Sequence, residues 1–152
     1  MKKLDFEELH QEVAEKLATE KSIVLSTASG NKVTARTMSH VNDGLEIMIQ
    51  TGGNSEKAIQ IRNNPNVAFA VSNVQIEAVA AFSGHPLDER NNRFVVLYKQ
   101  KFPQYFERYS SYPDEILLRF QPTKVILYKY IDGNPCKDIL DVSAQEAFRT
   151  GI

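Results

Sequence analysis

The stretch QTGGNSEKAIQIRNNPNV, Gln50 to Val67, decides how the chain is read. It begins at the end of an apolar run, LEIMIQ at Leu45 to Gln50, and passes through the small polar turn Thr51-Gly52-Gly53-Asn54-Ser55. A short helix follows over Lys57 to Arg62, with Ala58, Ile59 and Ile61 as its apolar residues, and Asn63-Asn64-Pro65 ends it because the residue before proline avoids helical geometry. A helix N-terminus presents unpaired N–H groups and a partial positive charge, so the hydroxyls of Thr51 and Ser55 and the Lys57 ammonium suit a phosphate dianion. The same residues also fit a plainer reading, in which Ser55 caps a surface helix and Lys57 is solvated. The segment is neither a Walker loop, which needs Gly-x4-Gly-Lys-Ser/Thr, nor a dinucleotide fingerprint, which needs Gly-x-Gly-x-x-Gly.

Outward from this segment the texture is that of a β meander. SIVLSTA at Ser22 to Ala28 and VTARTM at Val33 to Met38 flank the turn Ser29-Gly30-Asn31, and Asn42-Asp43-Gly44 leads into the LEIMIQ strand. Asn66 to Ser72 and Ile76 to Phe82 read as two further strands. Ile116 to Phe120 and Val125 to Tyr130 read as a final pair around a Gln121-Pro122 turn. Helices flank the meander. Phe6, Leu9, Val13 and Leu17 recur at helical spacing within residues 1–21, with Asp5 and Glu8 as a capping-box-like start. Asp88 to Tyr109 reads as a helical excursion broken at Pro103, and residues 131–152 as an irregular tail with a helix at Val142 to Arg149. The expected fold is one domain over 1–152, mainly β with flanking helices, in which six or seven antiparallel strands form a small barrel that hides their edges.

The 152 residues are enough for a core without disulfide or metal staples. Eighteen basic against nineteen acidic side chains give a net charge of −1, which provides no general attraction to nucleic acid or an anionic membrane. The single cysteine, Cys136, excludes an intrachain disulfide, and its placement in the expected tail makes it a poor nucleophile. The N-terminus MKKLDFEELH carries acids where a signal peptide needs an apolar run, and no stretch has the ~20 apolar residues of a membrane span, so a soluble cytoplasmic protein is expected.

Thr51-x-x-x-Ser55-x-Lys57, the Ile61-Arg62-x-Asn64-Pro65-x-Val67 ending and the upstream TARTMS strand with Arg36 together resemble the pyridoxamine 5′-phosphate oxidase-like family of FMN-binding split β-barrels. The resemblance runs from the first helix to about Tyr130. It implies a homodimer that binds FMN in a groove at the subunit interface, with flavin-dependent redox chemistry on a small-molecule substrate. It implies that Arg36 and Lys57 neutralise the FMN phosphate while Thr51 and Ser55 donate hydrogen bonds to it. Thr37, Met38 and Ser39 would run along the isoalloxazine ring and Gln50 would sit near the ring or ribityl chain. A non-enzymatic FMN- or haem-binding or stress-associated module of the same fold is the alternative, and a deazaflavin cofactor a third reading.

The departures from the family's oxidases fall on the substrate side. Ser55-Glu56-Lys57 replaces a Ser-Arg-Lys, Ser39-His40-Val41 stands where a Leu-Leu-Lys run is expected, and neither a C-terminal tryptophan nor an Arg-x-His motif is present. Efficient oxidation of pyridoxamine 5′-phosphate is therefore not expected, although Arg90, Arg93 and Lys99 are available cations. His10 reads as solvated, His40 as a turn residue and His85 as a strand-end residue, with haem ligation as the minor alternative for His85. Phe102, Tyr105, Phe106, Tyr109 and Tyr112 read as packing over a barrel end, with a cover for the flavin as their second role.

Overall fold

In the computed structural model, which describes residues 1–152, Glu115–Ile131 is one continuous 17-residue strand and organises the rest of the sheet. The elements before it are β1 (Lys2–Leu4), α1 (Phe6–Thr19), β2 (Ser22–Ser29), β3 (Lys32–Ser39), β4 (Val41–Asp43), β5 (Glu46–Gly52), α2 (Glu56–Asn63), β6 (Asn66–Val71), β7 (Val74–Phe82), α3 (Asn92–Lys101) and α4 (Pro103–Tyr109). The long strand is β8, followed by β9 (Asn134–Asp141) and β10 (Glu146–Gly151). All pairings are antiparallel, in the order β1-β10-β9-β8-β7-β6-β2-β3, with β5 joining β8 and carrying β4. The hydrogen-bonded path stays open at β3 and β4, as a split barrel does.

Gln121-Pro122 does not turn the chain back, which corrects the expected strand pair. Glu77 pairs with Lys124 and Ala78 with Pro122, so Thr123 is an extra residue on β8. Its hydroxyl donates to the Glu77 carbonyl at 3.2 Å. A bulge tolerates proline because it needs no ladder N–H there, and it bends the strand. Pairing with β5 ends at Phe120 and pairing with β9 starts at Lys124, so Pro122 falls between the two partners.

The tail is likewise not helical. Asp132 (φ 51°) and Gly133 (φ 78°) form the two central positions of a tight hairpin turn, the double left-handed geometry that Asp-Gly favours, and Ile131 pairs with Asn134 across it. The strand count is therefore ten. Cys136 is buried on β9. Asp138, also buried, accepts from Arg149 Nε at 2.6 Å and Nη2 at 2.9 Å and pairs with Lys129 at 2.9 Å. Lys129 in turn reaches Glu12 on α1. Breaking such a buried pair costs about 3–5 kcal/mol, because a charge is left uncompensated.

Residues Leu9, Val13 and Leu17 of α1 join Ile23, Leu25, Ile47, Ile49, Phe69, Ile76, Phe120 and Leu127 in one core, and Asp5 caps the helix by accepting from the Glu8 amide at 2.9 Å. A smaller cluster of Val41, Met48, Phe94, Tyr98, Phe102 and Leu117 seats α3 on the other face of β5. Strand alternation explains this division, since Ile47 and Ile49 point one way and Met48 the other.

His40 is fully buried, not an exposed turn residue. Its Nε2 donates at 2.9 Å to the Leu17 carbonyl, one of the oxygens that the last turn of α1 leaves free, and its Nδ1 has no partner. Burial, and next the Lys101 charge, push its pKa down to about 4, with the Leu17 hydrogen bond opposing. An unfolded histidine binds its proton near 6.5, so this contribution to stability is complete above pH 6.5 and is lost as pH falls toward 4. The loss is on the order of 3 kcal/mol. Thermal melts between pH 7.5 and 4 should show the wild-type midpoint dropping through this window, and a flatter profile for His40→Gln.

Candidate functional site

The glycine-rich turn brings β5 to the start of α2. Gly53 donates its amide to the Asp114 carbonyl at 2.8 Å, and a Cβ there would meet that oxygen at 3.1 Å and Ile116 Cγ2 at 3.2 Å, so glycine permits the close approach. Ser55 caps α2, its Oγ accepting from the Ala58 amide at 3.4 Å. Lys57 sits in the first turn of α2, and Thr51 is buried on β5 opposite Ile116.

Arg36 on β3 is held over the same helix by a polar network. Its Nη1 donates to the Leu25 carbonyl at 3.2 Å and to Thr27 Oγ1 at 2.8 Å, and its Nη2 donates to Thr34 Oγ1. Thr27 and Thr34, directly opposite on β2 and β3, both donate onward to Gln60 Oε1 of α2. The guanidinium is thus fixed by neutral oxygens and keeps Nε–H and one Nη2–H free. The network residues Thr27, Thr34 and Gln60 escape a motif reading. The available signal was a glutamine on the buried side of a short helix.

Neither Arg36 nor Lys57 takes part in any of the chain's ion pairs. Burial, followed by the charge of Arg36, lowers the Lys57 ammonium below its ordinary value, with Glu115 opposing. Burial also lowers Arg36, with Glu56 opposing, though a guanidinium stays charged. Glu56, the anion in place of an expected cation, is drawn to Lys32 at 2.9 Å. Two neighbouring cations without a carboxylate in contact make a site for an anion.

Thr37, Met38, Ser39 and Gln50 come together in one open groove of about 350 Å³, closed by Tyr98, Tyr105, Tyr109 and Glu115. Glu115 pairs with Gly52 across β8 and β5, and its electrostatic contact with Lys57 ties the groove to the cationic end. Burial lifts its carboxyl above the usual range, with Lys57 and then His85 opposing. Burial, then Glu115, Tyr105 and Tyr109, push the Tyr98 phenol up to about 12. Ser110 Oγ donates to Gln50 Oε1 at 2.6 Å, which turns the amide NH2 of Gln50 outward as a donor. The tyrosines of α3 and α4 are thus groove walls as well as packing.

Other sequence candidates lie elsewhere. Both ring nitrogens of His85 are engaged, Nε2 with the Tyr112 carbonyl at 2.9 Å and Nδ1 with the Leu87 amide at 3.1 Å. His10 packs beside the Phe6 ring. Arg90 pairs with Asp88, Arg93 with Asp43, and Lys99 lies over the Phe106 ring.

The sequence model of the pyridoxamine 5′-phosphate oxidase family matches residues 9–129. The chain belongs to this family. Among solved structures it is similar to General Stress Protein 26 from Bacillus anthracis str. Sterne, at 18% identity and TM-score 0.62 over 77% of this chain and 91% of that one. Campylobacter jejuni ChuZ aligns at 16% identity and TM-score 0.77 over 97% of this chain and 64% of that one. HutZ, a haem storage protein from Vibrio cholerae, aligns at 16% identity and TM-score 0.64 over 82% and 95%. No curated protein sequence matches the chain significantly. At these identities the solved structures speak to the split-barrel fold alone. No helix is long and apolar enough to cross a membrane.

The coupling at the family's cationic end is directly measurable. In NMR titrations of the Lys57 side chain, the ammonium should lose its proton at lower pH than exposed lysines do. Arg36→Met, which removes a like charge, should raise that titration, and Glu115→Gln, which removes the opposite charge, should lower it further.

Proposed function

We propose that this chain binds FMN as a homodimer and carries out flavin-dependent redox chemistry on a small molecule other than pyridoxamine 5′-phosphate. The observation that carries the reading is the unneutralised Arg36–Lys57 pair at the start of α2, joined through Glu115 to a groove of suitable size and lining. A phosphate dianion supplies what this pair lacks. Arg36 and Lys57 would bind it, with Thr51, Ser55 and the first amides of α2 around them. Thr37, Met38 and Ser39 would support the ring, Gln50 would donate its amide hydrogens to it, and the tyrosines would exclude water. When bound, the flavin supplies hydride or electron transfer at its ring, so no nucleophile or general acid of the chain is required.

Support for the dimer comes from the outer sheet face. Val24, Ser26, Ala28, Val33, Ala35, Thr37, Ala68 and Ala70 form a small-residue, uncharged surface across β3, β2 and β6, with Val24 and Val33 exposed. Thr37 belongs both to this face and to the groove, so a second copy seated here would wall the cofactor. For the haem alternative, the two engaged nitrogens of His85 and the burial of His40 leave no ready ligand at the groove.

Purified protein reconstituted with FMN should show a flavin spectrum without a Soret band and scatter light as a dimer. A charge-assisted bond contributes about 1.5–3 kcal/mol, so Lys57→Ala should weaken FMN roughly 10- to 100-fold. Riboflavin, lacking the phosphate, should bind far more weakly than FMN. Glu56→Gln should tighten binding. Unchanged affinity in an Arg36→Met, Lys57→Ala double variant would overturn the site.

The cations that might hold a second phosphate over the flavin are occupied: Arg90 and Arg93 by aspartates, Lys99 by an aromatic ring. Positioning of that kind is worth ~7–11 kcal/mol of barrier, so its loss is severe. Aerobic assays should show little conversion of pyridoxamine 5′-phosphate to the aldehyde. A turnover of about 1 per second or faster would contradict this. Oxidation of NADH or NADPH in the same assay would mark a reductase.

A further inference from the structure

A second cavity of about 360 Å³ lies between the chain leaving α1 and the chain entering α4. Its only charged lining residues are Lys21 and Lys101. It shares Ser39 and Tyr105 with the groove described above, so the two spaces meet at those residues. We propose that this cavity binds the anionic arm of the substrate, a small planar organic carboxylate or phosphate monoester whose ring reaches past Ser39 and Tyr105 into the groove. The assignment of the occupant as substrate rests on the flavin reading; the anion site rests on the cavity's own residues.

Lys101 has the properties of a cation awaiting a partner. It forms no ion pair, and its ammonium stands 5.6 Å from the Phe102 ring centroid. Its one hydrogen bond, 3.5 Å to the Leu17 carbonyl, goes to an oxygen that His40 already occupies at 2.9 Å. An ammonium has three donors, so most of its capacity faces the cavity. Burial pushes it down to about 8, and Glu20 is the one charge opposing this. An anion in the cavity would offset that burial. Lys21 adds a second positive charge on the opposite wall, while Ser22, Ser39 and Gln104 offer neutral polar groups. The Phe102 and Tyr105 rings lie 5.7 Å apart and only 15° from parallel, so they present flat faces of similar orientation to a planar ligand. Lys21 and Lys101 both lie outside the phosphate end formed by Arg36 and Lys57, which leaves that end to the cofactor.

The test is a titration of the full chain, without and with saturating FMN, by benzoate and by phenyl phosphate, followed by calorimetry and by amide shifts in NMR. Saturable binding of either anion with shifts centred on Ser39 and residues 101 to 105 is expected, and the tighter of the two assigns carboxylate or phosphate. Lys101→Met should weaken binding about tenfold or more, as expected for loss of a charge-assisted bond, and Lys101→Arg should restore most of it. Lys21→Met, at an exposed residue whose loss leaves the fold intact, should weaken it about threefold. No saturable binding, shifts centred on residues 55 to 57, or equal affinity in wild type, Lys101→Met and Lys21→Met would each overturn the proposal. Anion binding at Lys101 in a protein that refuses FMN would uphold the anion site and overturn the flavin reading instead.

Discussion

Everything in this fold is hung on the bulge at Thr123. A straight 17-residue strand would offer one continuous edge to one neighbour. The bend divides that edge, giving β5 the first half of β8 and β9 the second. The β5 half then delivers Gln50, Thr51 and the glycine turn to the start of α2, while the β9 half closes the far end through β10, β1 and the Asp138 cluster. Proline and a β-branched neighbour at this point are compatible with such a division, because neither partner needs the missing N–H.

The site shows a division of labour between rigidity and charge. Gln60 and two threonines spend all their hydrogen bonding on fixing a guanidinium, so its orientation does not depend on any ligand. The adjoining lysine is left unpaired and partly desolvated. Such an arrangement holds electrostatic energy against itself in the free protein and releases it when an anion arrives, which is how preorganised sites convert folding stability into affinity. Glu56 would cancel much of that effect were it not turned toward Lys32.

Much of the fold was legible because its signals are local. The α1 stripe, the hairpin of β2 and β3 and the Asn64-Pro65 stop each rest on periodicity or on one turn, and each is found where the residues indicate. Gln121-Pro122 misleads because proline punctuates both turns and bulges, and only the partner strand distinguishes them. Asp132-Gly133 was a readable hairpin signal, but the strands it joins are broken by Pro135, Lys137 and Asp138, whose charges are absorbed by cross-strand ion pairs invisible to a periodicity reading. His40 shows the same limit: its neighbours in the sequence suggest a turn, whereas a carbonyl 23 positions earlier decides its environment. Within the candidate site, the motif residues were legible and their supports were not. Thr27, Thr34, Glu115 and the α3–α4 tyrosines matter through contacts made across the fold.

The placement of those tyrosines has an optical consequence. The chain has no tryptophan and six tyrosines, and three of the six, Tyr98, Tyr105 and Tyr109, line a single groove. Near-ultraviolet emission from this protein therefore originates in large part from the walls of one cavity. A ligand lying there with absorption overlapping tyrosine emission would accept energy from half of the chain's fluorophores at contact range, while one bound on the opposite side of the barrel would leave those three rings in their solvent-facing surroundings. The unlabelled protein thus carries its own spectroscopic reporter, placed by the packing of α3 and α4 against β5.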